Sequence, residues 1–528
     1  MSPAELDHEA RTPAALLRAQ ALRNPDGTFV ITDRDRVSWQ EMWERVGLIA
    51  SGLADLGVVA CDTVVLAMDN RIELLESWLA VASLGAIEVP LNPEMLGERL
   101  LYLLNHSRAR VAVVDPSVAA RIESLAPHLD HLERIVTVDT PLRSSSGGPT
   151  LGALRAGSRP LSEPYPADEA QVSAILYTSG STGPPKGVIV PNGQHLANAR
   201  QGAAAANLGA DDVMYLCLPL HHNMAQGYGI MPALLTGCSV RLAAKFDRSA
   251  FWDEVRGCEA TVWPFVGGLL ALLADLPVSE DDKDNPLRVA YGVPVPKHLH
   301  RAFESRFGLT LVHGYGSTEA TIPVWSDENS PPGAAGTVLP DYRVRVVDET
   351  DHCLPPGTVG EICVRPERPN TMFAGYFHDP QKTVAAWRNL WFHTGDHGCF
   401  DDAGNLWFRG RAGDAIRRFG EFVDAEEVEA AVLAHDAISQ AACVGVPDAV
   451  AGEEVLVSVV PRPGVAVSPA ELRRWLDQRL PRYARPRYIS VDATIPLTPT
   501  GKVQRYKVRE RGVPASAYDF LKKESVSH

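Results

Sequence analysis

The chain has 528 residues, 45% of them apolar and 22% charged, with 50 basic side chains against 65 acidic ones for a formal charge of −15. That length exceeds what one hydrophobic core supports, so at least two domains are expected. The acidic balance disfavours general attraction to nucleic acid or to an anionic membrane surface, while leaving room for a local basic patch. Eight cysteines are scattered without a C-x-x-C pair. This excludes a disulfide scaffold and zinc-type spacing, and predicts buried thiols in a reducing compartment.

In chain order, the opening MSPAELDHEARTP carries no basic stretch followed by an apolar run. The most apolar internal run, 266–276, falls short of the ~20 residues a spanning helix needs, and the final S-V-S-H is no retention or peroxisomal signal. A cytoplasmic location is expected. Short β-rich runs at 63–68, 110–115 and 172–177 alternate with helical patterns, which predicts α/β architecture without internal repeats. The stretch 143–166, rich in Ser, Gly and Pro, reads as a surface connection. Towards the C-terminus, 425–435 has helical spacing at Val428, Val432 and Leu433, and 441–446 and 455–460 read as strands. A further helix is expected to start at Ser468, with Pro469 in first position and Glu471 completing a capping box. Leu472, Trp475, Leu476 and Leu480 would form its buried stripe. A break near 410–414 divides the chain into a large part, 1–411, and a small α/β unit, 412–528.

The residues 177–187 read Y-T-S-G-S-T-G-P-P-K-G directly after an apolar strand. Gly180, Gly183 and Gly187 let backbone N–H groups approach an anion, Thr178, Ser179, Ser181 and Thr182 add hydroxyl donors, and Lys186 adds positive charge. A triphosphate needs this combination of short donors and little bulk. The spacing is not that of a Walker A loop. Four further blocks follow: H-G-Y-G-S-T-E-A-T at 313–321, W-F-H-T-G-D at 391–396, G-R-A-G-D-A-I-R-R-F-G-E at 410–421 and P-L-T-P-T-G-K-V-Q-R at 496–505. Singly, each has a structural explanation: a turn aspartate, a solvated lysine, or a helix-start carboxylate at Glu319. Taken together and in this order, the five blocks carry the resemblance that follows.

Together with V-S-W-Q at 37–40 and L-G-A-I-E-V-P-L-N-P at 84–93, these blocks resemble the superfamily of acyl-CoA synthetases, peptide-synthetase adenylation domains and luciferases. The resemblance implies a multi-subdomain N-terminal domain with a small mobile C-terminal α/β domain. It also implies ATP, Mg²⁺ and coenzyme A as ligands, and a small carboxylic acid as substrate. It places the β- and γ-phosphates on the 177–187 loop, and adenine between Tyr315 and the wall Gly292, Val293 and Pro294. Gly316 and Ser317 belong to the same nucleotide block. Thr318 would bond the α-phosphate and Glu319 would ligate Mg²⁺. Asp396 and Arg411 would hold the ribose. Lys502 would bridge the substrate carboxylate and the α-phosphate, where charge builds as one anion attacks another. Gly420 and Glu421 would border the thiol tunnel once the C-terminal domain has rotated.

Three positions depart from the family pattern. Gly413 occupies the hinge position, where relatives carry Asp or Lys; glycine suits a pivot and loosens the preference between orientations. Pro191-Asn192 replaces a Ser/Thr-His pair, and Phe422 replaces an Asn. The acyl pocket is expected between 222–226, 263–268, 291–293, Gly316 and 321–323, with His222 as a gate or as a core side chain. These residues offer no obvious ion-pair partner for a charged tail, which suits a medium-sized aliphatic or aryl acid. G-V-P-D at 445–448 and G-E-E-V at 452–455 resemble the acyl-CoA ligase branch. A carrier protein, an amine or nitrite stay open as alternative acceptors or oxyanions. A non-catalytic AMP-binding scaffold would have lost Lys502, Glu319 or Asp396, and all three are present.

Overall fold

The strand Thr63–Ala67 shows how the β-rich runs are used: Val64 and Leu66 enter one core cluster, whereas Val65 and Ala67 enter another. Both faces of a parallel strand are thereby buried under helices, as crossover connections require. In this computed structural model the described residues are 10–139, 148–178, 185–295, 297–411, 416–418, 421–423, 425–448, 452–480, 482–497 and 503–521. The chain divides into two compact units. The first is Met1–Glu328 with Leu339–Arg343 and Arg365–Leu390; the second is Asn329–Val338, Val344–Val364 and Trp391–His528.

In the first unit a seven-stranded sheet runs in the order Gly375–Tyr376, Lys186–Pro191, Val172–Thr178, Ile87–Pro90, Thr63–Ala67, Val111–Val114 and Arg134–Thr137. The helices Trp39–Asp55 and Ile72–Ser83 fill one face, and Gly97–Ser107 and Pro116–Ser124 the other. Ser38 starts the first of these with a capping box: its hydroxyl accepts from Glu41 N–H while the Glu41 carboxylate accepts from Ser38 N–H. A second sheet carries, in succession, Thr321–Trp325, Thr310–Ser317, Val289–Val293, Val262–Val266, Val213–Leu216, Ser239–Leu242 and Thr28–Ile31. Three of its strand ends supply the central blocks of the site.

In the second unit Gly360–Pro366, Trp391–Phe400 and Leu406–Arg411 pair antiparallel. A separate sheet joins Ile438–Asp448, Gly452–Pro461 and Tyr488–Val491. The helices Ala425–Leu433 and Pro469–Asp477 bury Val428, Val432, Leu472 and Leu476 against it.

Several local expectations change. Within the expected connection 143–166, Thr150 caps a helix, Leu151–Gly157, whose Leu151 and Leu154 are buried. A hydroxyl cap and two leucines three apart outweigh the Ser/Gly/Pro composition. The helix Pro469–Asp477 begins where expected, but Ser468 makes no side-chain cap bond, and the helix ends before Leu480, which is buried beyond it. No disulfide forms among the eight cysteines; Cys61 and Cys353 are exposed and Cys258 is half-buried, so only part of the set fits the buried-thiol reading. Among the described residues no helix is long and apolar enough to cross a membrane.

Candidate active site

The first glycine-rich block closes a β-hairpin. Val172–Thr178 and Lys186–Pro191 pair antiparallel, with Tyr177 opposite Gly187 and Thr178 opposite Lys186. That register pins both ends of the loop between them and leaves Thr178 and Lys186 at its mouth. The Tyr177 hydroxyl lies 2.7 Å from His106 Nδ1, and burial pushes the phenol pKa upward, so Tyr177 stays neutral. Ser179, Gly180, Ser181, Thr182 and Gly183 lie outside the described residues.

The second block is a strand–turn–strand. Thr310–Ser317 runs parallel to Val289–Val293, with Gly292 beside His313, and returns antiparallel as Thr321–Trp325. Thr318 and Glu319 sit half-buried in the turn between, so Glu319 is not a helix-start carboxylate. The turn is tight because Gly316 allows it: a Cβ there would meet the Thr321 carbonyl oxygen at 1.9 Å. Thr321, at φ +61°, is held left-handed. Gly292 is likewise required, since its Cβ would meet the Phe265 carbonyl oxygen at 2.0 Å. This structure therefore brings Gly292, Val293 and Pro294 to a strand end neighbouring the one that carries Tyr315, Gly316 and Ser317. Helix Asn192–Ala206 supports the turn from behind. Gln194 Nε2 donates to the Thr318 carbonyl at 2.6 Å, while Gln201 donates to Thr321 Oγ1 and accepts from Tyr228 Oη and Ile322 N–H.

A third segment, which the sequence reading did not single out, ties these two blocks together. Phe373 N–H donates to the Glu319 carbonyl at 3.0 Å, Ala374 N–H to Ile189 O at 2.9 Å and Phe377 N–H to Gly187 O at 2.7 Å. Between them Tyr376 reaches the side chains of Glu319 and Lys186. Its hydroxyl donates to Glu319 Oε1 at 3.1 Å, and Lys186 Nζ lies 5.0 Å from its ring centroid. A G-Y dipeptide after N-T-M-F-A carries little signal, because an aromatic beside apolar residues reads as core.

In the second unit Asp396 and Arg411 are direct cross-strand partners, so the two expected ribose residues meet. A bulge produces this geometry. Glu361 pairs with His397 and Cys363 with His393, so the partner strand fits two extra residues, with Gly395 at φ +71°. Thr394 Oγ1 donates to the Ile362 carbonyl and accepts from Asp396 N–H, which fixes the buried aspartate's backbone. Glu421 lies on the short strand Glu421–Val423. Lys502, Gly413 and Gly420 fall outside the described residues.

The expected acyl walls divide into buried and exposed side chains. Trp263, Tyr291 and Thr321 are completely buried, the Tyr291 hydroxyl donating to the Tyr228 carbonyl. Gln226 Nε2 donates to the fully buried Glu88 at 3.0 Å, and burial raises that acid well above the usual carboxylate range. His222 is exposed, which removes the core reading for it. Its neighbour His221 is the enclosed one, its pKa lowered to about 3 by burial and then by His222.

Comparison with known proteins decides the family. The model for "AMP-binding enzyme" matches residues 17–377, and that for "AMP-binding enzyme C-terminal domain" matches 427–502. The chain belongs to the AMP-binding enzyme family. This AMP-binding enzyme is 29% identical over 486 residues to a crotonobetaine/carnitine–CoA ligase of Escherichia coli, covering 90% of this chain and 93% of the relative. It is similar to ATP-bound MatB from Rhodopseudomonas palustris, with a TM-score of 0.85, 27% identity and coverage of 94% and 98%. The anthranilate CoA ligase AuaEII shares the fold, with a TM-score of 0.87, 23% identity and coverage of 95% and 97%. The expected fold, a large N-terminal domain with a small C-terminal α/β domain, is therefore that of the adenylate-forming enzymes, and the chain falls in their acyl-CoA ligase branch.

Proposed function

We propose that this AMP-binding enzyme activates a small carboxylic acid as its acyl-adenylate and transfers the acyl group to coenzyme A. The observation that supports the reading is that Tyr376 joins Lys186 and Glu319, with Thr318 next to Glu319 in the same turn. One cation, one hydroxyl and one hard carboxylate oxygen, all half-buried, make a set that suits a magnesium-bound polyphosphate. Glu319, steadied by a phenol donor, would hold Mg²⁺, which when bound neutralises phosphate charge.

In the first half-reaction the substrate carboxylate attacks the α-phosphorus, a P–O bond breaks and pyrophosphate leaves. Thr318 and Lys502 would stabilise the charge gathering on the α-phosphate. The 177–187 loop with Lys186 would hold the departing β- and γ-phosphates, and Asp396 and Arg411 the ribose. These groups mainly position two anions and offset their repulsion, so no covalent enzyme intermediate is required. In the second half-reaction the thiol sulfur attacks the activated carbonyl, its proton passes to solvent and AMP leaves. The C-terminal segment 412–528 would reorient about Gly413 between the two steps, exchanging Lys502 for Gly420 and Glu421. His222, which is exposed, would act as the gate of the acyl pocket.

Incubation of the purified protein with Mg-ATP and a panel of carboxylic acids, with and without coenzyme A, tests this by mass spectrometry. An acyl-CoA together with AMP is expected. AMP or acyl-adenylate without thioester would move the acceptor to a carrier protein, an amine or nitrite. ADP as product would overturn the adenylation reading.

A further inference from the structure

The second unit holds a cluster that this chemistry does not use. Cys363 and His393 are cross-strand partners on adjacent strands, and Glu361 lies two residues before Cys363. The Cys363 sulfur is 3.4 Å from His393 Nδ1 and 3.8 Å from its Nε2, and Nδ1 is 2.8 Å from Glu361 Oε2. One ligand atom from each of the three lies within 4.8 Å of the other two. Cys363 is fully buried and the His393 side chain is 3% exposed, whereas Glu361 is 21% exposed and leaves an approach from solvent.

We propose that Glu361, Cys363 and His393 form a binding site for a divalent transition metal of the zinc class. The sulfur stands nearly equidistant from the two ring nitrogens rather than along the Nδ1 lone pair, so a turn of the His393 ring would let a single ion bind Nδ1, the sulfur and the carboxylate together. Thiolate, imidazole and carboxylate are a borderline-soft donor set, suited to Zn²⁺ or Co²⁺ rather than Mg²⁺ or Ca²⁺. Thiolate and carboxylate charges cancel those of a dication, leaving the buried site neutral. The outer contacts also fit. Asp351 Oδ1 lies 3.7 Å from His393 Nε2, ready to orient a ring whose Nδ1 faces metal, and Gly395 N–H donates to the other oxygen of Glu361 at 3.2 Å. On binding, the thiol proton passes to solvent and the imidazole proton resides on Nε2, facing Asp351. Three protein ligands leave a fourth position for water.

The test is a Co²⁺ titration of the full-length protein in a Cys61→Ser/Cys353→Ser background, which removes the two exposed thiols. One equivalent of Co²⁺ should bind with a near-ultraviolet thiolate-to-cobalt band and intense tetrahedral visible bands, both lost when Zn²⁺ is added. Cys363→Ser should abolish the thiolate band. Asp351→Asn should keep it while weakening affinity roughly 10–100-fold, as loss of an outer-shell partner does. Should Cys363→Ser not fold by circular dichroism, Glu361→Gln serves instead, and altered visible bands with weaker binding are expected. No thiolate band, a band that survives Cys363→Ser, or visible bands unchanged in Glu361→Gln would each overturn the proposal.

Discussion

Replacing Tyr376 by phenylalanine isolates one bond. The ring stays, so the contact with Lys186 at 5.0 Å is kept, and only the donor 3.1 Å from Glu319 Oε1 is removed. A hydrogen bond to a charged acceptor is worth about 1.5–3 kcal/mol, and the half-exposure of Glu319 argues for the low end. About 1.4 kcal/mol corresponds to a factor of ten. The variant should therefore show roughly a tenfold lower kcat/KM for MgATP, with a higher Mg²⁺ concentration at half-saturation. Pyrophosphate release at fixed ATP and acid, with Mg²⁺ varied, measures both. The backbone bonds of Phe373, Ala374 and Phe377 do not involve the phenol, so the melting temperature should change little. Tyr376→Leu, which also removes the cation–π contact worth about 0.5–1 kcal/mol, should be weaker still. Wild-type rate and Mg²⁺ dependence in the phenylalanine variant would refute the reasoning.

Lys502→Ala should lower adenylation by roughly 10²–10³-fold while leaving ATP binding largely intact, as loss of one transition-state donor does; isotope exchange between pyrophosphate and ATP reads this directly. Gly316→Ala forces its new methyl against the Thr321 carbonyl oxygen, so activity should fall with a stability loss of about 1–3 kcal/mol, measured by urea unfolding. His195 is fully buried, neither ring nitrogen has a partner among the described residues, and burial lowers its pKa to about 4. A depressed pKa means the unfolded chain takes up the proton first. Its contribution is complete above the ordinary value of 6.5 and is lost as pH falls from there towards about 4. The slope should be about 1 kcal/mol per pH unit for this residue. His195→Leu should flatten the urea-derived stability profile across that window, and an unchanged profile would count against the assignment.

The parts of the site legible in the sequence are those whose chemistry is local. A glycine and hydroxyl loop after a strand leads one to expect an anion site, and the T-E pair and T-G-D triplet carry their carboxylates in short contexts. What could not be read depends on contacts between distant residues. Tyr376 and Glu319 are 57 positions apart, and Gln194 meets Thr318 across 124; neither pairing leaves a local pattern. Short-range patterns also misled. Ser468 and Glu471 have capping-box spacing, yet no cap bond forms from Ser468, whereas Ser38 and Glu41 at the same spacing make one. Composition suggested a bare connection where Thr150 and two buried leucines make a helix. For the histidines, P-L-H-H gives no sign of which ring turns inward; His221 does, and His222 is left exposed.

The backbone bonds of the 373–377 segment have a consequence for recombining this enzyme with its relatives. The hairpin at 186–189, the turn at 317–319 and the segment 373–377 are remote in sequence but behave as a single inherited cassette, because each bond in the set joins two of the three pieces. Crossovers that take one piece from a different parent separate a donor from the acceptor it was shaped against. Trp263 and Tyr291, among the expected acyl walls, make none of these bonds. Exchanging the expected acyl walls while inheriting all three pieces from one parent should therefore leave these bonds whole.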